Sequence, residues 1–129
     1  MLEAARPHLL RVLGPNCVGL IIPGIGLNAS FAHTSAAVGK LAFVSQSGGL
    51  TAAILNLAKS RGIGFSHFVS LGDSADVDFG DMLDYLGSDP HTNAILLYIE
   101  SVAAQVLVIF VIRARRIRGA DRHAVRRHA

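Results

Sequence analysis

The stretch Ser45-Gln46-Ser47-Gly48-Gly49 places two hydroxyls and two amides without side chains at one junction, where the short β-rich run 41–44 changes to helical spacing. That composition suits an anion. Glycines let backbone N–H groups approach a ligand closely, the first N–H groups of a helix have no internal partners, and the helix dipole adds about half a positive charge there. Ser45 and Ser47 add hydroxyl donors, so Ser45, Ser47, Gly48 and Gly49 form a candidate phosphate site. The same residues also read as a serine N-cap followed by a glycine turn. Spacing alone leaves both readings open, because the stretch is neither a Walker A sequence nor a GxGxxG fingerprint.

Other residues with chemical potential are sparser. Gly14-Pro15-Asn16 reads as a tight turn, and Cys17, the single cysteine, as a small buried residue rather than a nucleophile. One cysteine excludes an internal disulfide framework and leaves no cysteine cluster for zinc. Asp73, Asp76 and Asp78 have the look of a cation site. Carboxylates around a helix start also serve as caps and dipole partners, and no metal site is expected.

These residues need elements to hold them. Residues 11–13 read as a short strand ending in Gly14-Pro15-Asn16, residues 18–22 as another extended segment, and residues 23–40, rich in Pro, Gly, Ser, Ala and Asn, as a loop. Residues 41–44 are a strand. Thr51, Ile54, Leu55, Leu57 and Ala58 recur at three- and four-residue steps, with Lys59 and Arg61 in the last turn and Gly62 as a stop, which predicts an amphipathic helix. Residues 65–71 form the next strand; residues 78–86 carry Phe79, Met82, Leu83 and Leu86 at helical spacing before Asp89-Pro90, and residues 94–99 are a nearly continuous apolar run. Strand, helix, strand, helix, strand implies an α/β fold with right-handed crossovers and a parallel sheet covered on both faces. In such sheets ligands bind outside the carboxyl ends of strands. The turn at 45–49 lies at such an end.

Size and charge bound the function. The 129 residues, 51% of them hydrophobic, fit one domain with an ample core. The most apolar run, 102–112, is eleven residues long and contains Gln105, too short for a membrane span. With no secretory signal read either, a cytoplasmic location and no membrane partner are expected. Residues 1–112 carry five Lys/Arg against eight Asp/Glu, a net −3, whereas residues 113–129 carry seven Arg and one Asp, a net +6. The basic tail lacks interleaved aromatics and the body has no basic stripe to continue it, so no nucleic-acid role is expected.

Several motifs combine into a resemblance. Arg11-Val12-Leu13-Gly14-Pro15-Asn16-Cys17-Val18-Gly19, then Phe43-Val44-Ser45-Gln46-Ser47-Gly48-Gly49-Leu50-Thr51, then Ser88-Asp89-Pro90 with Ile95-Leu96-Leu97-Tyr98-Ile99-Glu100, occur in sequence. Their order and spacing resemble the nucleoside-diphosphate-forming acyl-CoA synthetases, which include the α subunit of succinyl-CoA synthetase and the ADP-forming acetate–CoA ligases. The run Gly62-Ile63-Gly64-Phe65-Ser66-His67-Phe68-Val69-Ser70-Leu71-Gly72-Asp73, with Ala75-Asp76-Val77-Asp78, resembles members fused to a GNAT acetyltransferase domain. The resemblance spans residues 5–102. It implies a flavodoxin-like succinyl-CoA ligase domain, a three-layer sandwich with a parallel sheet, over residues 11–102. Residues 1–10 then resemble the end of a CoA-binding Rossmann domain, and 103–129 form an aberrant apolar and arginine-rich tail, expected to be an out-of-frame translation.

The resemblance also implies roles. In that family a histidine is phosphorylated while acyl-CoA and nucleotide interconvert through an acyl phosphate, with CoA and ATP or ADP as cofactors of the full-length enzymes. Ser45, Ser47, Gly48 and Gly49 map onto the loop that cradles the phosphate of phosphohistidine. Glu100 matches the glutamate that holds the histidine, where a carboxylate accepting one ring N–H fixes the tautomer and exposes the other nitrogen. Gly14, Pro15, Asn16 and Cys17 match the loop near the reacting end of CoA and acyl phosphate. His33, His67 and His91 do not sit in the family's Gly-His-Ala-Gly-Ala context, and none is read as the phosphohistidine. The implied partners are CoA-binding Rossmann and ATP-grasp domains or subunits and acyl-CoA, with oligomer formation open. The chain alone is expected to bind no cofactor tightly and to be inactive. Two further readings are a non-catalytic acyl-CoA-sensing domain of a GNAT-type protein lysine acetyltransferase and an interaction module using residues 102–112.

Overall fold

In the computed structural model, which describes residues 1–101 and 104–106, six strands form a sheet. They are β1 (Gly19–Ile22), β2 (Leu27–Ser30), β3 (Ala37–Ser45), β4 (Gly64–Ser70), β5 (Ala94–Ser101) and β6 (Ala104–Val106), in the spatial order β2-β1-β4-β3-β5-β6. The helices are the short α1 (Leu2–Ala5), α2 (Gly48–Arg61) and α3 (Phe79–Ser88). The tail expected over 103–129, its out-of-frame origin and the interaction segment 102–112 lie outside the described residues, β6 excepted. Among the described residues no helix is long and apolar enough to cross a membrane.

The two longer helices start at side-chain caps. The Ser47 side chain accepts a hydrogen bond from the Leu50 N–H and so caps α2; Gly62, in the left-handed conformation at φ 64°, closes it behind Lys59 and Arg61. Asp78 and Asp81 form a reciprocal capping box at the start of α3. Strand alternation then decides which helix covers which face. Ala42 and Val44 join Val69, Leu71, Ile95 and Leu97 in one core, against Phe79, Met82, Leu83 and Leu86 of α3. Phe43 joins Ile21, Phe65 and Phe68 in the other, against Ile54, Leu55 and Ala58 of α2. The result is the helix–sheet–helix sandwich of the flavodoxin-like α/β class.

The sheet is parallel only at its centre. β3 pairs in parallel with β4 and β5, whereas β1 runs antiparallel to both β2 and β4, and β6 antiparallel to β5. Residues 23–40, expected as one loop, contain a 3₁₀ turn at Pro23–Ile25, all of β2 and the first residues of β3. β2 is a four-residue edge strand whose residues are mostly exposed, and its alternation Leu27-Asn28-Ala29-Ser30 is too short to stand out within a Gly- and Ser-rich stretch. Residues 11–13, expected as a strand, belong to no strand and lie outside the sheet. Their main-chain link is the Val77 N–H donating to the Val12 carbonyl at 3.2 Å.

Candidate functional site

At the carboxyl end of β3 the chain leaves the sheet through Gln46 and Ser47 and enters α2 at Gly48. The turn is built by its own side chains. Ser45 Oγ accepts from the Ser47 N–H at 3.1 Å and donates to the Ser47 carbonyl at 3.0 Å, and Thr51 Oγ1 donates to that same carbonyl at 2.5 Å. Ser45, expected as a donor to a ligand, is instead fully buried with its hydroxyl bound inside the loop. Ser47 is the helix cap of the simpler reading, accepting from the Leu50 N–H at 3.3 Å. The capping leaves two amides over: among the described residues neither the Gly48 nor the Gly49 N–H has an acceptor. Gly49 is exposed, and a Cβ there would meet nothing within 4 Å.

The Gly14–Cys17 loop stands next to this turn. A Cβ on Gly48 would lie 3.1 Å from Val18 Cγ2, so the start of α2 and the end of that loop are in contact. The loop is anchored on the turn that follows β4. The Asp73 N–H donates to the Pro15 carbonyl at 2.9 Å, the Ala75 N–H to the Gly14 carbonyl at 3.0 Å, and the Val18 N–H to the buried Ser70 Oγ at 3.1 Å. Asn16, left-handed at φ 55° and exposed, donates through Nδ2 to Asp73 Oδ1 at 3.3 Å. Cys17 is partly exposed rather than buried, its Sγ 3.8 Å from the Leu13 carbonyl.

Glu100 sits one residue from the end of β5, exposed. Its main-chain N–H donates to Gln46 Oε1 at 3.0 Å, which ties the carboxylate-bearing strand end to the glycine turn. The structure therefore brings three sequence-predicted groups to one edge of the sheet: residues 45–49, 14–17 and Glu100.

The aspartates are occupied otherwise. Asp76 accepts from the Val12 N–H at 2.7 Å and pairs with Arg11 at 3.2 Å, and Arg11 also reaches Asp81 at 2.7 Å. The Val12 N–H, with help from Arg11, holds the Asp76 carboxyl below its ordinary range; Arg11 does the same for Asp81. Asp78 caps α3. No group of three ligating side chains is placed for a metal among the described residues.

Sequence reasoning missed Gln46, Thr51, Ser70 and Gly72 in the loop architecture, and a polar cluster at the opposite end of the strands. There the Asp89 carboxylate accepts from Thr92 Oγ1 at 2.6 Å, lies 3.3 Å from His91 Nδ1 and stands 3.6 Å from the buried His67 Nδ1, too far for a hydrogen bond. Tyr85 meets His67 Nε2 at 3.4 Å. Burial lowers the proton affinity of His67; Asp89 opposes the shift and His91 adds to it. With the folded pKa below the unfolded 6.5, the neutral ring supports folding above that pH, and this support is lost as pH falls through the folded value. Urea midpoints are expected to fall between about pH 7 and pH 5 in the wild type, and less steeply in His67→Gln.

Comparison with known proteins places this architecture. Residues 38–122 match the family described as succinyl-CoA ligase like flavodoxin domain. The chain is 42% identical, over 102 residues, to acetate–CoA ligase [ADP-forming] I of Archaeoglobus fulgidus, covering 79% of this chain and 15% of that protein. It is 44% identical over 102 residues to acetate–CoA ligase [ADP-forming] II subunit alpha of Pyrococcus furiosus, covering 79% of this chain and 22% of that subunit. A dinucleotide forming acetyl-coenzyme A synthetase 1 from Ca. Korarchaeum cryptofilum, solved in complex with phosphate and ADP, superimposes with a TM-score of 0.72 at 39% identity, over 78% of this chain and 22% of that one. The chain thus spans about a fifth of such relatives, and within that span it belongs to the succinyl-CoA ligase-like flavodoxin domain family.

Proposed function

We propose that this domain is the part of an ADP-forming acyl-CoA ligase, of the acetate–CoA kind, that holds the phosphoryl group of a phosphohistidine at the start of α2. The observation that carries this is the pair of unpartnered amides at Gly48 and Gly49, the latter exposed, at a helix N-terminus on the carboxyl edge of a parallel sheet. Ser45 and Thr51 act from behind: by binding the Ser47 main chain they fix the amides in place before a ligand arrives, which lowers the ordering cost of binding. Ser47 keeps its hydroxyl proton for the anion while its oxygen caps the helix. Glu100 accepts one ring N–H of the histidine, leaving the other nitrogen to carry the phosphoryl group. Pro15 and Asn16 are exposed beside the turn, and the loop Gly14, Pro15, Asn16 and Cys17 is assigned to the approach of acyl phosphate and the reacting end of CoA. CoA and nucleotide supply the acyl acceptor and the phosphoryl group, through Rossmann and ATP-grasp partners.

A relative that shares this architecture over 22% of its own chain was solved in complex with phosphate and ADP. Inorganic phosphate is expected to bind this chain at about millimolar concentration, near 4 kcal/mol, and to shift the Gly48 and Gly49 amide resonances together. Gly49→Asp should weaken that binding more than about tenfold while leaving stability within ~0.5 kcal/mol, since a carboxylate in the first helical turn favours the dipole but repels phosphate. Gly49→Ala, placed in open space, should keep the binding. Phosphate that leaves both amides unmoved, or binds Gly49→Asp as well as the wild type, would overturn the assignment.

A further inference from the structure

We propose that Gln46 is a positioning residue that keeps the strand end bearing Glu100 in register with the glycine turn, so that anion occupancy of the turn is transmitted to Glu100. The inference rests on the proposed anion site and adds a residue that neither the family resemblance nor the sequence singled out.

The geometry comes from the parallel ladder. β3 and β5 pair through Val44↔Leu97 and Ser45↔Tyr98, the last register pair of the two strands. In a parallel ladder every second residue of a strand donates its N–H to the residue before its partner and accepts at its carbonyl from the residue after it. Gln46, opposite Ile99, makes the first of these bonds: its N–H donates to the Tyr98 carbonyl at 3.0 Å. The second bond is made by the side chain. Gln46 Oε1, in place of the main-chain carbonyl, accepts from the Glu100 N–H at 3.0 Å. The orientation of the amide is unambiguous, because only its oxygen accepts from an N–H. The backbone is thereby released from the sheet at Gln46 and turns into Ser47 and Gly48, while the neighbouring strand still finds its next acceptor.

One residue therefore faces both halves of the proposed chemistry. Its main chain is continuous with the amides of Gly48 and Gly49 through Ser47, and its side chain holds the main chain of Glu100. A histidine carrying a phosphoryl group on one nitrogen and a carboxylate contact on the other demands a set distance between the two, and Gln46 links the elements that present them. Leucine at this position would keep the size and lose the acceptor; glutamate would keep the acceptor and add a charge.

The test uses the full chain, with inorganic phosphate as the probe. In the wild type the Glu100 amide should be protected from hydrogen exchange, and on phosphate titration its resonance should move with those of Gly48 and Gly49 at one common Kd. In Gln46→Leu the Glu100 amide should exchange about tenfold faster while amides at the centre of β3 stay protected. Phosphate should still titrate Gly48 and Gly49 within about threefold of the wild-type Kd, but the Glu100 amide should no longer follow. In Gln46→Glu the linked movement should return, with weaker phosphate binding. Equal protection of the Glu100 amide in Gln46→Leu, or a Glu100 resonance that follows phosphate there as in the wild type, would overturn the proposal. Gly48 and Gly49 unmoved in the wild type would remove the anion site and the coupling together, an outcome distinct from an intact titration that reaches Glu100 without Gln46.

Discussion

Phe68→Ala should lower the stability of the domain by about 3–5 kcal/mol, a large part of the 5–15 kcal/mol that holds a domain of this kind together. Phe68 is 2% exposed on β4 and packs against Phe43 of β3 at 5.0 Å between ring centroids and edge-on against Phe65 at 4.9 Å. The lost area is only part of the cost. Truncation leaves a cavity bordered by strands that cannot close on it, because Phe68 stands between Phe43 and Ile21 in the sheet register, and it removes two aromatic pairs worth roughly 0.5–1.5 kcal/mol each. The same core contains Leu55 and Ala58 of α2, so the helix whose first turn carries the anion site loses part of its seat. Urea denaturation should show a lower midpoint at an unchanged slope. A loss below about 1 kcal/mol would mean that the aromatic cluster is not the core of the α2 face.

Gly72→Ala is expected to be nearly as damaging, and its effect falls on the site. Gly72 is left-handed at φ 60°, and a Cβ would stand 2.2 Å from the Pro15 carbonyl oxygen and 2.5 Å from that of Asn16. Those neighbours are main chain, so neither can swing aside. Backbone strain and the forced displacement together suggest about 2–4 kcal/mol, or a fall in Tm of roughly 10–20 °C for a domain of this size. The displaced segment is the Gly14–Cys17 loop. The Asp73 and Ala75 amides, bonded to the Pro15 and Gly14 carbonyls, should lose protection in whatever folded population remains. Gly49→Ala is the matched control: the same added methyl in open space, with no such loss. Equal melting temperatures for Gly72→Ala and wild type would show that the two loops are not packed as described.

The contrast between these glycines marks the limit of local pattern. Gly48, Gly49 and Gly72 look alike in the sequence, each just beyond a β-rich run, yet one touches Val18, one faces open space and one lies beneath another loop's main chain. Legible in advance were the elements with a strong period: the helix from Thr51 to its stop at Gly62, the capped helix before Asp89, and the apolar central strands. Ser47 and Asp78 as helix caps followed from the same local chemistry, whereas the pairing of Asp76 with Arg11 and of Asp73 with Asn16 did not. The hairpin partner β2 escaped because a four-residue, exposed edge strand has an apolar face of only Leu27 and Ala29 to reveal it. Residues 11–13 looked like a strand because a short apolar run before a turn has the same composition whether or not it pairs in a sheet.

By itself, then, the sequence determined the α/β class, the two main helices, the central strands and the family, since caps, periodicity and ordered motifs are properties of neighbouring residues. Tertiary structure alone decided the antiparallel flanks, the burial of Ser45 inside its own loop, the seating of residues 14–17 on the 70–75 turn and the bond from Glu100 to Gln46. The β1–β4 pairing, the seating of 14–17 and the Gln46 bond bring together groups more than twenty residues apart, and the burial of Ser45 rests on a hydroxyl choosing a main-chain partner over solvent. Such choices are made by packing, and no local pattern records them.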